Sequence, residues 1–270
     1  MKTEDKLDLL LQTGALLLGS GANSTRIERA IFDAAKILKL PADHVHLHLN
    51  LRTIMISLDD EGRQVTKFRK VKALGVNMFI ISGMQRALER MVAAGAPVSE
   101  LESELNRVGK LGQAYPEWLI LLAVGAADGG FCTVLGGSVS AILFAVLGTM
   151  AGLFVRRRLH HAGFNLYFTV MIAAITACLV ASLNILCHAP VLGAFNAAGL
   201  NLAADTAPTL AVAASVLFLI PGVPLINTVD DLLDGYTMMG IGRATIAMLI
   251  VLSIACGVIV TLNLLNISKI

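Results

Sequence analysis

Asn227, Asp230, Asp231 and Asp234 follow one another at i, i+3, i+4 and i+7, which places all four on one face of a helix. Three carboxylates and an amide on one face can carry a proton or bind a cation, and they can equally form an ordinary solvated acidic face. Leu225, Val229, Leu232, Leu233 and Tyr236 fall on the opposite face. Just upstream runs Leu219-Ile220-Pro221-Gly222-Val223-Pro224-Leu225-Ile226-Asn227. Pro221 and Pro224 lack backbone donors, so an apolar helix arriving here must break. A break at membrane depth exposes carbonyls and amides, which is tolerated where they line a cavity, and such breaks can bind substrates or ions. Arg243 is the nearest cation and a candidate contact for a carboxylate. Asp128, in Gly125-Ala126-Ala127-Asp128-Gly129-Gly130, is a second candidate acid and is expected near the outer end of an apolar stretch.

The elements that must hold these residues change in kind along the chain. Residues 1–117 contain 16 Lys/Arg and 14 Asp/Glu, whereas residues 118–270 contain 5 of each. Charge is costly in lipid, so the second part reads as a membrane domain. The expected fold is an α+β cytoplasmic module, residues 1–116, followed by an all-α transmembrane domain, residues 117–270. Five apolar stretches reach the roughly 20 residues a crossing needs, at about 117–135, 138–156, 164–187, 206–224 and 242–265. A glycine-rich turn around Gly129, Gly130, Gly136 and Gly137 is expected to join the first two. Arg156-Arg157-Arg158 belongs inside by the positive-inside rule. That puts the module in the cytoplasm and the C-terminus outside. Gly137, Ala141, Ala145, Gly148 and Gly152 form a small-residue series on the second span, suited to close helix packing within the chain or with another subunit.

In the first part a leucine-rich helix is expected over 4–19, ending at Gly19-Ser20-Gly21. Its apolar face can pack on the module or lie on the membrane. Thr25 and Glu28 read as a capping box opening a second helix, as do Ser99 and Glu102 for a later one. Strands are expected over His44–Asn50, Arg52–Leu58 and Arg63–Val71, and a helix over Leu74–Ala94. His44, His46 and His48 would share one strand face, but no nearby Cys or Glu completes a metal site, so no metal is expected. Cys132, Cys178, Cys187 and Cys256 lack CxxC spacing and read as buried free thiols. Asp205, beside Pro208, is expected to cap the fourth span.

No P-loop, dinucleotide fingerprint, nucleophile elbow or HExxH motif occurs, so the chain is not expected to be an enzyme or to need a cofactor. No basic run with interleaved aromatics points to nucleic acid.

Two motifs together carry a resemblance. Gly21-Ala22-Asn23-Ser24-Thr25-Arg26-Ile27-Glu28 resembles the signature near the N-terminus of the threonine/serine exporter family, with Asn23, Arg26 and Glu28 as its marked positions. Pro221-Gly222-Val223-Pro224-Leu225-Ile226-Asn227, then Asp230 and Asp231, then Gly242-Arg243, is similar to that family's proline-glycine motif. The layout resembles the larger subunit of the family's split members. The resemblance implies a small membrane subunit as partner, possible self-association, and export of threonine/serine or a dicarboxylate such as succinate across the bacterial inner membrane. On this reading Pro221, Gly222 and Pro224 shape the path, and Asn227 and Arg243 contact substrate. Asp230, Asp231, Asp234 and Asp128 are the candidates for coupling. The rival reading is a membrane-anchored regulatory protein that senses a ligand.

Overall fold

The computed structural model describes residues 1–60, 63–71, 75–110, 115–197 and 209–265. The expected cap at Asp205 lies outside them. The chain is mostly helical and forms two compact units. The first comprises Met1–Ala114 with Gly222–Ile246; the second comprises Tyr115–Pro221 with Ala247–Ile270.

In the first unit α1 (Thr3–Gly19) and α2 (Ser24–Ile37) precede a three-stranded antiparallel meander, β1 (Val45–Asn50), β2 (Thr53–Asp60) and β3 (Arg63–Lys70). Helices α3 (Met78–Ala94) and α4 (Val98–Gly109) follow. Ile54, Ile56 and Leu58 alternate along β2 and are all buried, so one sheet face supplies the core. They share one core with Leu7, Leu10 and Leu11 of α1, Ile27 and Ile31 of α2, and Met84 and Leu88 of α3; α1 packs on β2 and β3, and α3 packs on α2 and α4. The leucine face of α1 is therefore core.

Several boundaries differ from the expected ones. Helix α2 is capped by Asn23, whose side chain accepts from the Arg26 amide, and not by a Thr25–Glu28 box. Asn is as good a cap as Thr, and starting earlier leaves Thr25 free for another contact. Helix α4 starts at Val98 behind Pro97, without a side-chain cap from Ser99. Helix α3 starts at Met78, where Asn77 accepts from the Phe79 and Ile80 amides. His44 lies in a 3-10 turn before β1, so only His46 and His48 share the outer strand face. The His46 ring nitrogen sits 3.1 Å from Asp59. Among the described residues no group of three His, Cys, Asp or Glu is arranged to hold a metal.

The second unit contains α5 (Glu117–Val134), α6 (Val139–His161), α7 (Leu166–Ala197), α8 (Leu210–Ser215) and the later part of α10 (Thr237–Leu264). Gly129 and Gly130 lie inside α5, so Gly136 and Gly137 alone make the turn into α6. Apolar helix propagates through isolated glycines when the neighbours are good formers and a close contact needs the space. The Arg156–Arg158 cluster lies inside α6, which runs five residues past the expected end. Gly148 and Gly152 meet α7 within the chain: a β-carbon at Gly148 would lie 2.7 Å from the Ala177 carbonyl. Cys132 and Cys178 are buried, but Cys256 is exposed on α10, where the helix presents apolar side chains without a partner in the chain. Cys187 has no described side chain.

By length and composition four described helices can cross a membrane, or five if α8 and α9 (Gly222–Leu233) count as one broken span. Their outward residues, such as Leu249, Leu252 and Ile259 of α10, are large, apolar and exposed, as lipid contact requires. The break itself is as the sequence suggests. Helix α8 gives way to a 3-10 turn at Leu217–Leu219, Pro221 interrupts, and α9 starts at Gly222. Pro224 sits in the first turn of α9, where a missing N–H costs nothing.

Candidate functional site

The first site is built around the turn that ends α1. Gly21 adopts φ +82°, and a β-carbon there would lie 2.7 Å from the Gly75 carbonyl, so the position admits only glycine without strain. The Gly75 amide donates to Gly19 (2.9 Å) and the Asn77 amide donates to Ser20 (3.0 Å), which holds the turn against the segment before α3. Thus fixed, the turn presents two carbonyls and the start of α2. The Asn227 side-chain amide donates to the Gly21 carbonyl (2.8 Å), and the Arg243 guanidinium donates to the Ala22 carbonyl (2.7 Å).

Asn23, Ser24, Thr25 and Glu28 also take partners from the far end of the sequence. Asn23 caps α2 with its side-chain oxygen and donates its amide to Asp230 at 3.2 Å. The Ser24 backbone N–H donates to Asp231 at 2.8 Å. The Thr25 hydroxyl donates to Asp234, and the Tyr236 hydroxyl donates to Glu28 at 2.6 Å. The residues from Gly21 to Glu28 thus form a clamp on α9 and the start of α10.

Elementary electrostatics explains the arrangement. The first amides of a helix lack intrahelical partners and carry partial positive charge, so they attract anions. Here the anions are the chain's own aspartates. Asp231 is fully buried and Arg243 nearly so, and their charged atoms lie 3.2 Å apart. Asp231 Oδ2 and Arg243 Nη1 nonetheless lack hydrogen-bond geometry, so charge attraction holds this contact while the Ser24 amide and Ala22 carbonyl take the directed bonds. Burial raises the Tyr236 phenol pKa well above its ordinary value, and the hydrogen bond to Glu28 reinforces the shift. Arg26 takes no part: its side chain points to a cleft between α2 and α3.

The second site lies in the membrane-type unit. Asp128 is buried in the later part of α5. The Thr149 hydroxyl of α6 donates to its carboxyl at 2.9 Å and lies 3.3 Å from the Ser215 carbonyl at the end of α8. A hydroxyl has one proton, so Thr149 serves these two acceptors as alternatives or shares its proton between them. Ser215 immediately precedes the broken segment. A buried acid thus stands one side chain away from the end of α8, just before the helix break.

The expected residues therefore divide. Pro221, Gly222 and Pro224 mark the break. Asn227, Asp230, Asp231, Asp234 and Arg243 meet Gly21–Thr25. Asp128 joins Thr149 and Ser215, neither of which stood out in the sequence because single hydroxyls are common in apolar helices.

The threonine/serine exporter family model, ThrE, matches residues 8–265. The chain belongs to the threonine/serine exporter family. Membership makes it a multi-pass membrane transport protein, in agreement with its apolar helices. Among relatives, the probable succinate transporter subunit YjjP of Klebsiella aerogenes is 27% identical over 256 residues, covering 95% of this chain and 92% of that protein. The Escherichia coli YjjP is 26% identical with similar coverage, 95% and 93%. A probable threonine/serine exporter of Mycobacterium tuberculosis is 24% identical over 97% of this chain, which spans 47% of that longer protein. No solved structure matches the chain.

Proposed function

We propose that this chain is the larger subunit of a two-part secondary exporter in the bacterial inner membrane. A smaller membrane subunit of the same family completes it. The relatives support this: two proteins that match over nearly their whole length are named as transporter subunits. The cargo is a small polar metabolite, threonine/serine or a dicarboxylate such as succinate. Residues 1–116 face the cytoplasm and the C-terminus faces outside, an orientation that rests on the three arginines near the end of α6.

The observation that carries the mechanism is the buried Asp128–Thr149–Ser215 set beside the helix break. Asp128 takes up and releases the coupling proton or cation. Thr149 stabilises the charged carboxylate by donation and turns to the Ser215 carbonyl when Asp128 is neutral. The free backbone groups around Pro221 and Gly222, with Pro224 behind them, line the substrate path. Asn227, Asp230, Asp231, Asp234 and Arg243 keep α9 and the start of α10 seated on the Gly21–Thr25 segment, and their loosening opens Asn227 and Arg243 to substrate.

The test is efflux from cells preloaded with labelled threonine, serine or succinate, expressing this chain alone and with its small partner. Efflux that requires both chains establishes the split exporter and its cargo. Efflux from this chain alone removes the partner, and no efflux of any of the three removes the cargo assignment.

A further inference from the structure

Between α2 and α3 lies a cleft of about 150 Å³, separate from both sites above. Its apolar lining, Leu17, Ile81 and Leu88, is buried core. Arg26 and Arg29 line it too, three residues apart and hence neighbours on α2. Both are exposed, and among the described residues neither guanidinium has a hydrogen-bonding or ionic partner. Two unengaged guanidinium forks over an apolar floor match a carboxylate, which they can bind in bidentate fashion.

The same cleft also carries the opposite charge. Asp33 pairs with Lys36 through Oδ1 at 2.8 Å, and Glu89 accepts from Gln85 through Oε1 at 3.0 Å. Each keeps its second oxygen without a partner among the described residues. The volume is well below the roughly 300–1,000 Å³ of sites for drug-sized ligands, so only a small ligand fits. We propose that this cleft binds a free amino acid with a short side chain. Its carboxylate sits on Arg26 and Arg29, and its ammonium group faces Asp33 and Glu89. A dicarboxylate is disfavoured, because its second carboxylate would meet two like charges. The site rests only on this geometry and does not depend on the transport reading.

The experiment is titration calorimetry on the full chain in detergent with each of the twenty protein amino acids and with succinate. At least one short-chain amino acid binds to the unaltered chain. The exposed substitutions Arg26→Gln and Arg29→Gln each weaken that binding at least tenfold, and Arg26→Lys weakens it less. Asp33→Asn also weakens it, while the chain stays folded by circular dichroism. Absence of binding by every amino acid overturns the proposal, as does binding that Arg26→Gln and Arg29→Gln leave unchanged. Succinate competing for the same site overturns the ligand class. Efflux plays no part in these readouts, so a failed exporter assignment and a failed cleft assignment are told apart.

Discussion

Asp231 and Arg243 lie 3.2 Å apart in a buried pair, Asp231 also taking the Ser24 amide at the start of α2 and Arg243 the Ala22 carbonyl in the same turn. Removing one member strands the other. Arg243→Ala is therefore expected to destabilise the chain by about 3–5 kcal/mol. Asp231→Leu combined with Arg243→Met should recover much of that loss, because no charge is then left buried. Thermal unfolding of the single and double variants in detergent checks this. Strict additivity would show that the two residues do not act as a pair.

Asn23 does two jobs, capping α2 and donating to Asp230. Asn23→Ala should cost about 1 kcal/mol from the cap alone. Asn23→Asp keeps the cap but sets a carboxylate against Asp230, so it should be less stable than Asn23→Ser. Ranking the three by melting temperature settles the order.

For Tyr236 the sign follows from the raised pKa. The neutral phenol is favoured in the folded chain, so its contribution is fully present below the ordinary tyrosine value of about 10 and is lost as pH rises through the higher folded value. The stability gap between the native chain and Tyr236→Phe should hold constant from pH 7 to near 10 and change only at more alkaline pH. In absorbance titration, Tyr236→Phe should remove a tyrosine that ionises above the ordinary range.

Asp128→Asn should reduce efflux to background while the protein still inserts and keeps its fold, since an amide cannot exchange the coupling proton. Thr149→Val should slow efflux less and shift its pH dependence. Wild-type efflux from the Asp128→Asn variant would remove Asp128 from the coupling step.

Gly148 faces the Ala177 carbonyl at a separation that admits no β-carbon. Gly148→Ala should destabilise the α6–α7 contact by about 1–3 kcal/mol through overpacking. A melting temperature equal to that of the native chain would show that α7 yields there.

Much of this architecture was legible before any coordinates. The drop in charge after Trp118 located the apolar helices, because lipid penalises charge whatever the fold. Pro221 marked the break, because a missing backbone donor acts within a few residues. The capping residue of α2 was misplaced by two positions because Asn23 and Thr25 are both competent caps and local sequence cannot choose between them.

The pairing of Gly21–Glu28 with Asn227–Arg243 lay beyond such reasoning. Resemblance to a family set both motifs in order, but some two hundred residues of chain separate the partners, and spacing carries no information about contact at that range. The acidic face of α9 looked the same as a solvated one until the start of α2 was seen against it. The sequence by itself determined which segments are apolar, where helices must stop, and which residues carry charge, all consequences of local chemistry. Only the tertiary structure decided that Asp231 takes the first amide of α2 while Asp230 and Asp234 take side-chain donors beside it, and that Thr149 lies between Asp128 and the Ser215 carbonyl. The strength of those interactions depends on distance and burial, which only the packed chain sets.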